Sequence, residues 1–134
     1  MNDVQYLEIE EVIAIQQHLL DLHGGKPGFN GPAGQGLIES ALNRPINKAL
    51  YEGADLLAQA AALYFGLAKN HGFSDGNKRV AVTVTDIFLQ LNGWEFTCDN
   101  DTLATFTERC SDEDWTEDAV EAFVRRHAAR LPEG

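Results

Sequence analysis

DLLAQAAALYFGLAKNHGFSDGNKRVAVTVTDIFLQLNG, residues 55–93, is the stretch that decides the fold. Its first part places leucine, alanine and tyrosine on one broad apolar face, and Asp55 stands where a helix N-cap is expected. The cluster GFSDGN at residues 72–77 then breaks the pattern. In the last part, alternating valines are typical of a strand, but the length of the apolar run and the Asn92-Gly93 stop favour a helix. The stretch therefore predicts two long apolar helices joined by a tight corner.

Helical patterns also flank this stretch on both sides. Further helices are predicted at residues 8–22, 37–43, 102–110 and 116–130. Residues 24–36 are rich in glycine and predict a loop, and residues 93–98 predict a short extended piece. Pro45 is expected to end the short second helix, because proline disfavours the helical conformation in the residue before it. The chain is thus predicted to be an all-α single domain, residues 1–134, with about six helices.

Composition and charge exclude several classes of partner. The chain has 134 residues, of which 44% are hydrophobic, enough for a core, and it lacks an apolar run that could span a membrane. Its net charge is −11, and nine acids lie between Asp99 and Glu121 against one base, Arg109. So acidic a chain is a poor candidate for binding nucleic acid or an anionic membrane. We interpret the acidic segment as a solvated face; a docking surface for a basic partner is the alternative.

Cys98 and Cys110 are the only cysteines, and their spacing does not match a zinc site. The N-terminus is acidic and lacks the basic and apolar parts of a signal peptide. We therefore expect reduced, mostly buried thiols and a cytoplasmic protein.

The segment that can carry chemistry is HGFSDGNKR, His71 to Arg79. Its second half is predicted to begin a helix, where free backbone N–H groups and the helix dipole attract anions. Gly76 lets the backbone approach a ligand closely, and Lys78 and Arg79 add two positive charges. Together these residues predict a site for an anion, most naturally phosphate.

Two further residues can turn this anion site into an active site. Asp75 is a carboxylate suited to holding Mg²⁺ on a nucleotide, and His71 can accept a proton from an attacking hydroxyl. Phe73 is predicted to point inward and fix the loop. From the residues alone, the plain alternative is more frequent: a helix–loop–helix corner with Asp75 as N-cap and solvated bases.

HGFSDGNKR resembles the motif of the Fic/Doc superfamily, in the variant HxFx(D)(G/A)NKR carried by its death-on-curing (Doc) toxins. The resemblance covers most of residues 8–97. It includes EEVIAIQQHLL, GLIESALNRP, AALYFGLAKNH and FLQLNG, in that order.

The resemblance implies an α-helical Fic/Doc-like bundle that transfers a phosphate-containing group from a nucleotide, such as ATP with Mg²⁺, to a hydroxyl of a target protein. It implies that His71 is the general base, that Asp75 helps to hold the metal and that Phe73 is the buried anchor. It also implies phosphate-binding roles for Gly76, Asn77, Lys78 and Arg79. A toxin of this kind implies a cognate antitoxin and a target such as elongation factor Tu, whose modification blocks translation.

Two departures from the motif bear on the reaction. Many Fic motifs have proline where this chain has Gly72, and adenylylating members typically have glycine where this chain has Lys78. Lys78 adds charge and bulk to the phosphate loop and favours phosphorylation, as in Doc toxins. The alternatives are an adenylylating enzyme and a catalytically silent module that binds a nucleotide or a partner.

Other segments carry weaker signals. Arg44 could reach the nucleotide or the target, but a helix-capping role explains it equally well. Residues 45–54 correspond by order to the flap that aligns the target in Fic-like proteins, and are expected to link two helices. The loop GGKPGFNGPAGQG lacks the ending of a P-loop and is interpreted as a connection. His18, His23 and His127 are expected on the surface or at helix ends.

Overall fold

A computed structural model describes residues 3–112 and 115–132, and these residues form six helices and one small sheet. The helices are α1 (Ile9–His23), α2 (Gly34–Glu52), α3 (Leu56–Asn70), α4 (Asn77–Leu91), α5 (Asn100–Asp112) and α6 (Glu117–His127). The strands are β1 (Trp94–Phe96) and β2 (Ala128–Arg130). The predicted mostly helical architecture is confirmed. None of the helices in the described ranges is long and apolar enough to cross a bilayer.

The central element is α3, which is buried along nearly its whole length. The Asp55 carboxylate accepts a hydrogen bond from the Ala58 N–H (3.0 Å), as the predicted N-cap requires. Arg125 of α6 also donates to this carboxylate (2.8 Å), and the two contacts hold the pKa of Asp55 below its ordinary value. The helix start thus also ties α6 to the core.

The second helix is longer than predicted, because α2 continues through Pro45 to Glu52. Pro45 is buried, and close packing of α2 on α3 outweighs the helix-breaking tendency of proline. Gly66 makes this approach close: a Cβ there would lie 3.2 Å from the Ala41 Cβ and 2.8 Å from the Arg44 Cδ. The predicted helix end before Pro45 and the predicted link between helices over residues 45–54 are therefore wrong, since α2 takes up residues 45–52.

The end of the described chain is extended where a helix was predicted. Residues Ala128–Arg130 pair antiparallel with Trp94–Phe96, so the helical prediction for 128–130 is wrong. The backbone N–H and hydroxyl of Thr97 both donate to the His127 carbonyl (2.6 and 3.0 Å), which stops α6 there. Backbone pairing with a distant strand overrides the local helical pattern. The extended piece expected at residues 93–98 is confirmed as β1.

Both thiols are unpaired, as expected. Cys110 is fully buried, and burial raises its pKa to about 11. Cys98 is partly buried, and burial raises its pKa as well.

Candidate active site

The loop that joins α3 to α4 is anchored by Phe73, which is only 2% exposed to solvent. Its ring stacks on Phe29, with centroids 5.4 Å apart and planes inclined by 10°. The Asn77 side chain clamps the same residue from the helix side. Its Oδ1 accepts from the Phe73 N–H (3.0 Å), and its Nδ2 donates to the Phe73 carbonyl (2.9 Å). The inward orientation predicted for Phe73 is confirmed, and the Asn77 amide is engaged in holding the loop.

A second loop, residues 24–33 between α1 and α2, lies against this one, and we call it the bracing loop. The Ser74 N–H donates to the Gly28 carbonyl (2.9 Å), and the Ser74 hydroxyl donates to the Phe29 carbonyl (2.9 Å). Phe29 and Phe73 form an isolated antiparallel β-bridge. The glycine-rich segment is therefore more than a connection, because it supports the loop that carries the motif.

His71 ends α3 with its side chain at the surface and its backbone in the left-handed region (φ 49°, ψ 47°). The preceding residue, Asn70, is fixed by its Nδ2, which donates to the Leu37 carbonyl of α2 (3.1 Å). His71 lines a cleft of about 830 Å³, within the usual range for a small-molecule site. An imidazole at the wall of such a cleft can accept a proton from a bound hydroxyl.

Asp75 is held by backbone groups on both of its carboxylate oxygens. Oδ1 accepts from the Gly76 N–H (3.1 Å), and Oδ2 accepts from the Lys26 N–H of the bracing loop (3.2 Å). Its carbonyl accepts from Nε2 of the buried Gln16 (3.3 Å). The carboxylate is thus fixed in orientation at the cleft.

The side chains around Asp75 determine whether Mg²⁺ could bind there. The described residues contain no group of three or more histidine, cysteine or carboxylate side chains that could enclose a metal. Mg²⁺ does not need such a cage, since it commonly binds one or two carboxylates, substrate phosphates and waters. A single oriented carboxylate beside a phosphate site fits that mode of binding.

The N-terminus of α4 opens into the same cleft. Gly76 is its N-cap, in the left-handed conformation (φ 78°), and no side chain of the described chain caps the helix. The first N–H groups of the helix and its dipole therefore remain available to an anion. Asn77 contributes its backbone N–H to this end, since its side chain holds Phe73.

The two bases differ in their surroundings. The Lys78 ammonium contacts Glu108 of α5 (Nζ to Oε1 2.7 Å). Arg79 is exposed and forms no ion pair with any residue that the structure describes. An anion entering the cleft meets a free guanidinium and an ammonium shared with a carboxylate.

One wall of the cleft is a face of α5 that sequence reasoning did not assign to the site. Its residues recur at helical spacing: Asn100, Leu103, Ala104, Thr107 and Glu108. The hydroxyl of Thr107 donates to the Leu103 carbonyl (2.7 Å) and accepts from the buried Tyr64 hydroxyl of α3. That buried contact fixes the wall, and burial raises the pKa of Tyr64 above its ordinary value.

Arg44 lies outside this cleft and has a structural contact instead. Its guanidinium, together with the Lys48 ammonium (2.5 Å), binds the Glu117 carboxylate of α6, and its Nε donates to the Ala62 carbonyl (3.3 Å). Burial acts to raise the pKa of Glu117, but the two bound cations outweigh it and lower that pKa. The suggested contact of Arg44 with a nucleotide is therefore not supported.

One cleft is lined by all six of the polar residues and glycines that the sequence suggested for the site: His71, Asp75, Gly76, Asn77, Lys78 and Arg79. Phe73 lies beneath them in the core. His23 and Ser74 also line the cleft, although sequence reasoning gave neither a role there.

The chain is similar to two named proteins and matches one family profile. "Protein kinase doc" of Escherichia phage P1 is 32% identical over 91 residues, which make up 67% of this chain and 70% of that protein. "Toxin Doc" of Mycolicibacterium smegmatis is 35% identical over 104 residues, 72% of each chain. The family profile described as "Fic/DOC family" matches residues 6–89, from the approach to α1 almost to the end of α4. The matched region includes the bracing loop and the whole loop that joins α3 to α4 (residues 71–76, the motif loop). The chain belongs to the Fic/DOC family.

Proposed function

We propose that this protein is a Doc-like toxin that transfers a phosphate group from a nucleoside triphosphate, such as ATP, to a hydroxyl of a target protein. The observation that carries the proposal is the convergence of His71, Asp75, Lys78 and Arg79 on the uncapped N-terminus of α4. The names of the two relatives, a protein kinase and a toxin, support it.

In the proposed reaction, the target hydroxyl oxygen attacks the γ-phosphorus, and the bond from that phosphorus to the β,γ-bridging oxygen breaks. The hydroxyl proton passes to an imidazole nitrogen of His71, and the nucleoside diphosphate leaves with the bonding electron pair. Arg79, Lys78 and the α4 N-terminus hold the phosphate oxygens and stabilise their charge.

Asp75 is the residue that would hold Mg²⁺. When bound, the metal neutralises charge on the phosphate oxygens. The Lys26 and Gly76 N–H groups keep the carboxylate turned toward the cleft, so that little reorientation is needed when nucleotide arrives.

Phosphorylation is favoured over adenylylation by the residue at position 78. Lys78 places an ammonium and a long side chain inside the phosphate loop, where a glycine would leave room. The additional charge suits the terminal phosphate of a nucleotide. Transfer of AMP from the same cleft is the alternative outcome.

The proposed biological setting is a toxin–antitoxin pair in the cytoplasm. Elongation factor Tu is the first target to test, since its modification would block translation, and a cognate antitoxin is the proposed partner. The strongly acidic chain favours a protein target over nucleic acid.

The test is mass spectrometry of elongation factor Tu, and of a bacterial lysate, after incubation with the protein, ATP and Mg²⁺. We expect an added phosphate on a serine, threonine or tyrosine. His71→Ala should abolish the product, while His18→Ala, at an exposed position on α1, should leave the yield unchanged. An added AMP would establish adenylylation instead. No product with any nucleotide would reject the enzyme in favour of a binding module.

A further inference from the structure

The backbone at His71 adopts a conformation that needs support. His71 is the one non-glycine residue in the described ranges with a positive φ. The left-handed region is unfavourable for a residue with a Cβ, so neighbouring contacts must hold it there. Since φ and ψ of His71 set the direction of its Cα–Cβ bond, whatever holds the backbone also aims the imidazole.

Asn30 of the bracing loop supplies contacts on the C-terminal side of His71. Its Nδ2 donates to the His71 carbonyl (2.9 Å), and its backbone N–H donates to the Gly72 carbonyl (2.8 Å). Two consecutive carbonyls are thereby fixed by one residue from a loop 41 positions earlier in the chain.

The close packing of Gly72 on α2 limits how far the loop backbone could shift if the contacts with Asn30 were lost. A Cβ at Gly72 would lie 2.6 Å from the Ile38 Cδ1 and 3.0 Å from the Gly34 carbonyl oxygen, so the backbone already touches α2 closely. Because Gly72 is packed against α2, one end of the peptide between His71 and Gly72 is held in place. The hydrogen bond from the Asn30 side chain ends on that peptide.

We propose that Asn30 is a positioning residue that keeps the His71 imidazole aimed into the cleft. The inference rests on the proposed function, in which His71 accepts the proton. Asn30 is itself exposed and does not line the cleft, so its contribution to global stability is small. Its contribution to the proton-transfer geometry is large, because small displacements of a catalytic group cost much rate.

The experiment compares Asn30→Ala and Asn30→Asp with the wild type. Both variants keep the backbone N–H to Gly72, and aspartate keeps the shape of asparagine but cannot donate. Asn43→Ala, at an exposed asparagine on α2, is the matched control. We expect kcat for phosphate transfer to fall about tenfold in both Asn30 variants, with the KM for ATP and the Tm unchanged. Asn43→Ala should match the wild type.

A second measurement does not depend on turnover. In NMR spectra of the nucleotide-free protein, Asn30→Ala should shift the His71 ring resonances while those of His18 and His127 stay in place. Unchanged kcat together with unchanged His71 resonances would overturn the positioning role, even where wild-type activity is intact. If the wild type transfers nothing, the proposed function fails, and the ring resonances alone decide whether Asn30 aims His71.

Discussion

The two sides of the segment 71–79 differ in what they contribute. Phe73 and the Asn77 side chain face inward, where they pack on Phe29 and clamp the loop backbone. His71, Lys78 and Arg79 face the cleft. The residues that support the loop and the residues that line the cleft are thus different members of one short segment, so a substitution on one side should leave the property of the other side intact.

The largest loss of stability is expected from a substitution on the inward side of this segment. Phe73→Ala removes a fully buried ring and leaves a cavity, which should lower the free energy of unfolding by about 3–5 kcal/mol. Chemical denaturation measures this loss. His71→Ala, on the cleft side, is the control and should keep the wild-type midpoint. Equal losses in the two variants would contradict the division of roles.

Two basic side chains outside residues 71–79 can be compared with the bases that line the cleft. Arg44 and Lys48 bind Glu117 at the junction of α2 and α6, outside the cleft, and we expect them to act in stability. Glu117→Gln should reduce the free energy of unfolding by about 2 kcal/mol at neutral pH, because hydrogen bonds to charged groups are lost.

The same variant has a pH signature. The pKa of Glu117 is lower in the folded protein than its ordinary value of 4.5, so the ionised form stabilises the fold. This stabilisation is complete above pH 4.5 and is lost as the pH falls through the folded-state pKa. Between pH 6 and pH 3, Tm should therefore fall less in Glu117→Gln than in the wild type. A parallel decline would show that the ion pairs contribute nothing.

On the cleft side, Arg79→Ala should weaken nucleotide binding about tenfold, since a charge-assisted contact to phosphate is removed. Tm should stay constant because the side chain is exposed. Isothermal titration with a non-hydrolysable ATP analogue measures the affinity, and Arg126→Ala, on α6, provides a control of equal charge. Equal affinities in the two variants would remove Arg79 from the phosphate site.

The smallest effect concerns Glu108, which contacts the Lys78 ammonium across the cleft. Glu108→Gln removes a negative charge from the route of an entering phosphate, and should strengthen nucleotide binding about twofold. The effect should fade at high salt, because both side chains are solvent-accessible. Weaker binding in this variant would show that Glu108 supports the site.

The sequence predicted the elements whose signals are local. The strong periodicity of α3, the cap at Asp55 and the breaker before α4 are local signals, and the structure agrees with each of them. Residues 71–79 were recognisable as one site because they are contiguous. The errors fall where distant contacts decide: Pro45 stays helical because α2 packs on α3, and residues 128–130 become extended because β1 pairs with them.

The α5 wall and Asn30 could not be predicted from the sequence, because their roles also depend on contacts between distant parts of the chain. The α5 wall has an ordinary helical pattern, and only its contact with α3 through Thr107 turns that face toward the motif. Asn30 lies in a glycine-rich loop without any signature of its own. Neither could be assigned without knowing which parts of the chain meet.

The contacts that the bracing loop and α1 make with the motif loop also have a consequence for the order of folding. The contacts that hold the motif loop join residues 41, 49 and 59 positions apart, through Asn30, Lys26 and Gln16. Closing such large loops costs chain entropy, whereas α3 and α4 meet across a short corner and can associate early. We therefore expect a newly made chain to acquire its helical core before the geometry of the cleft. During synthesis the protein would then be folded for a time without the arrangement on which the proposed activity depends.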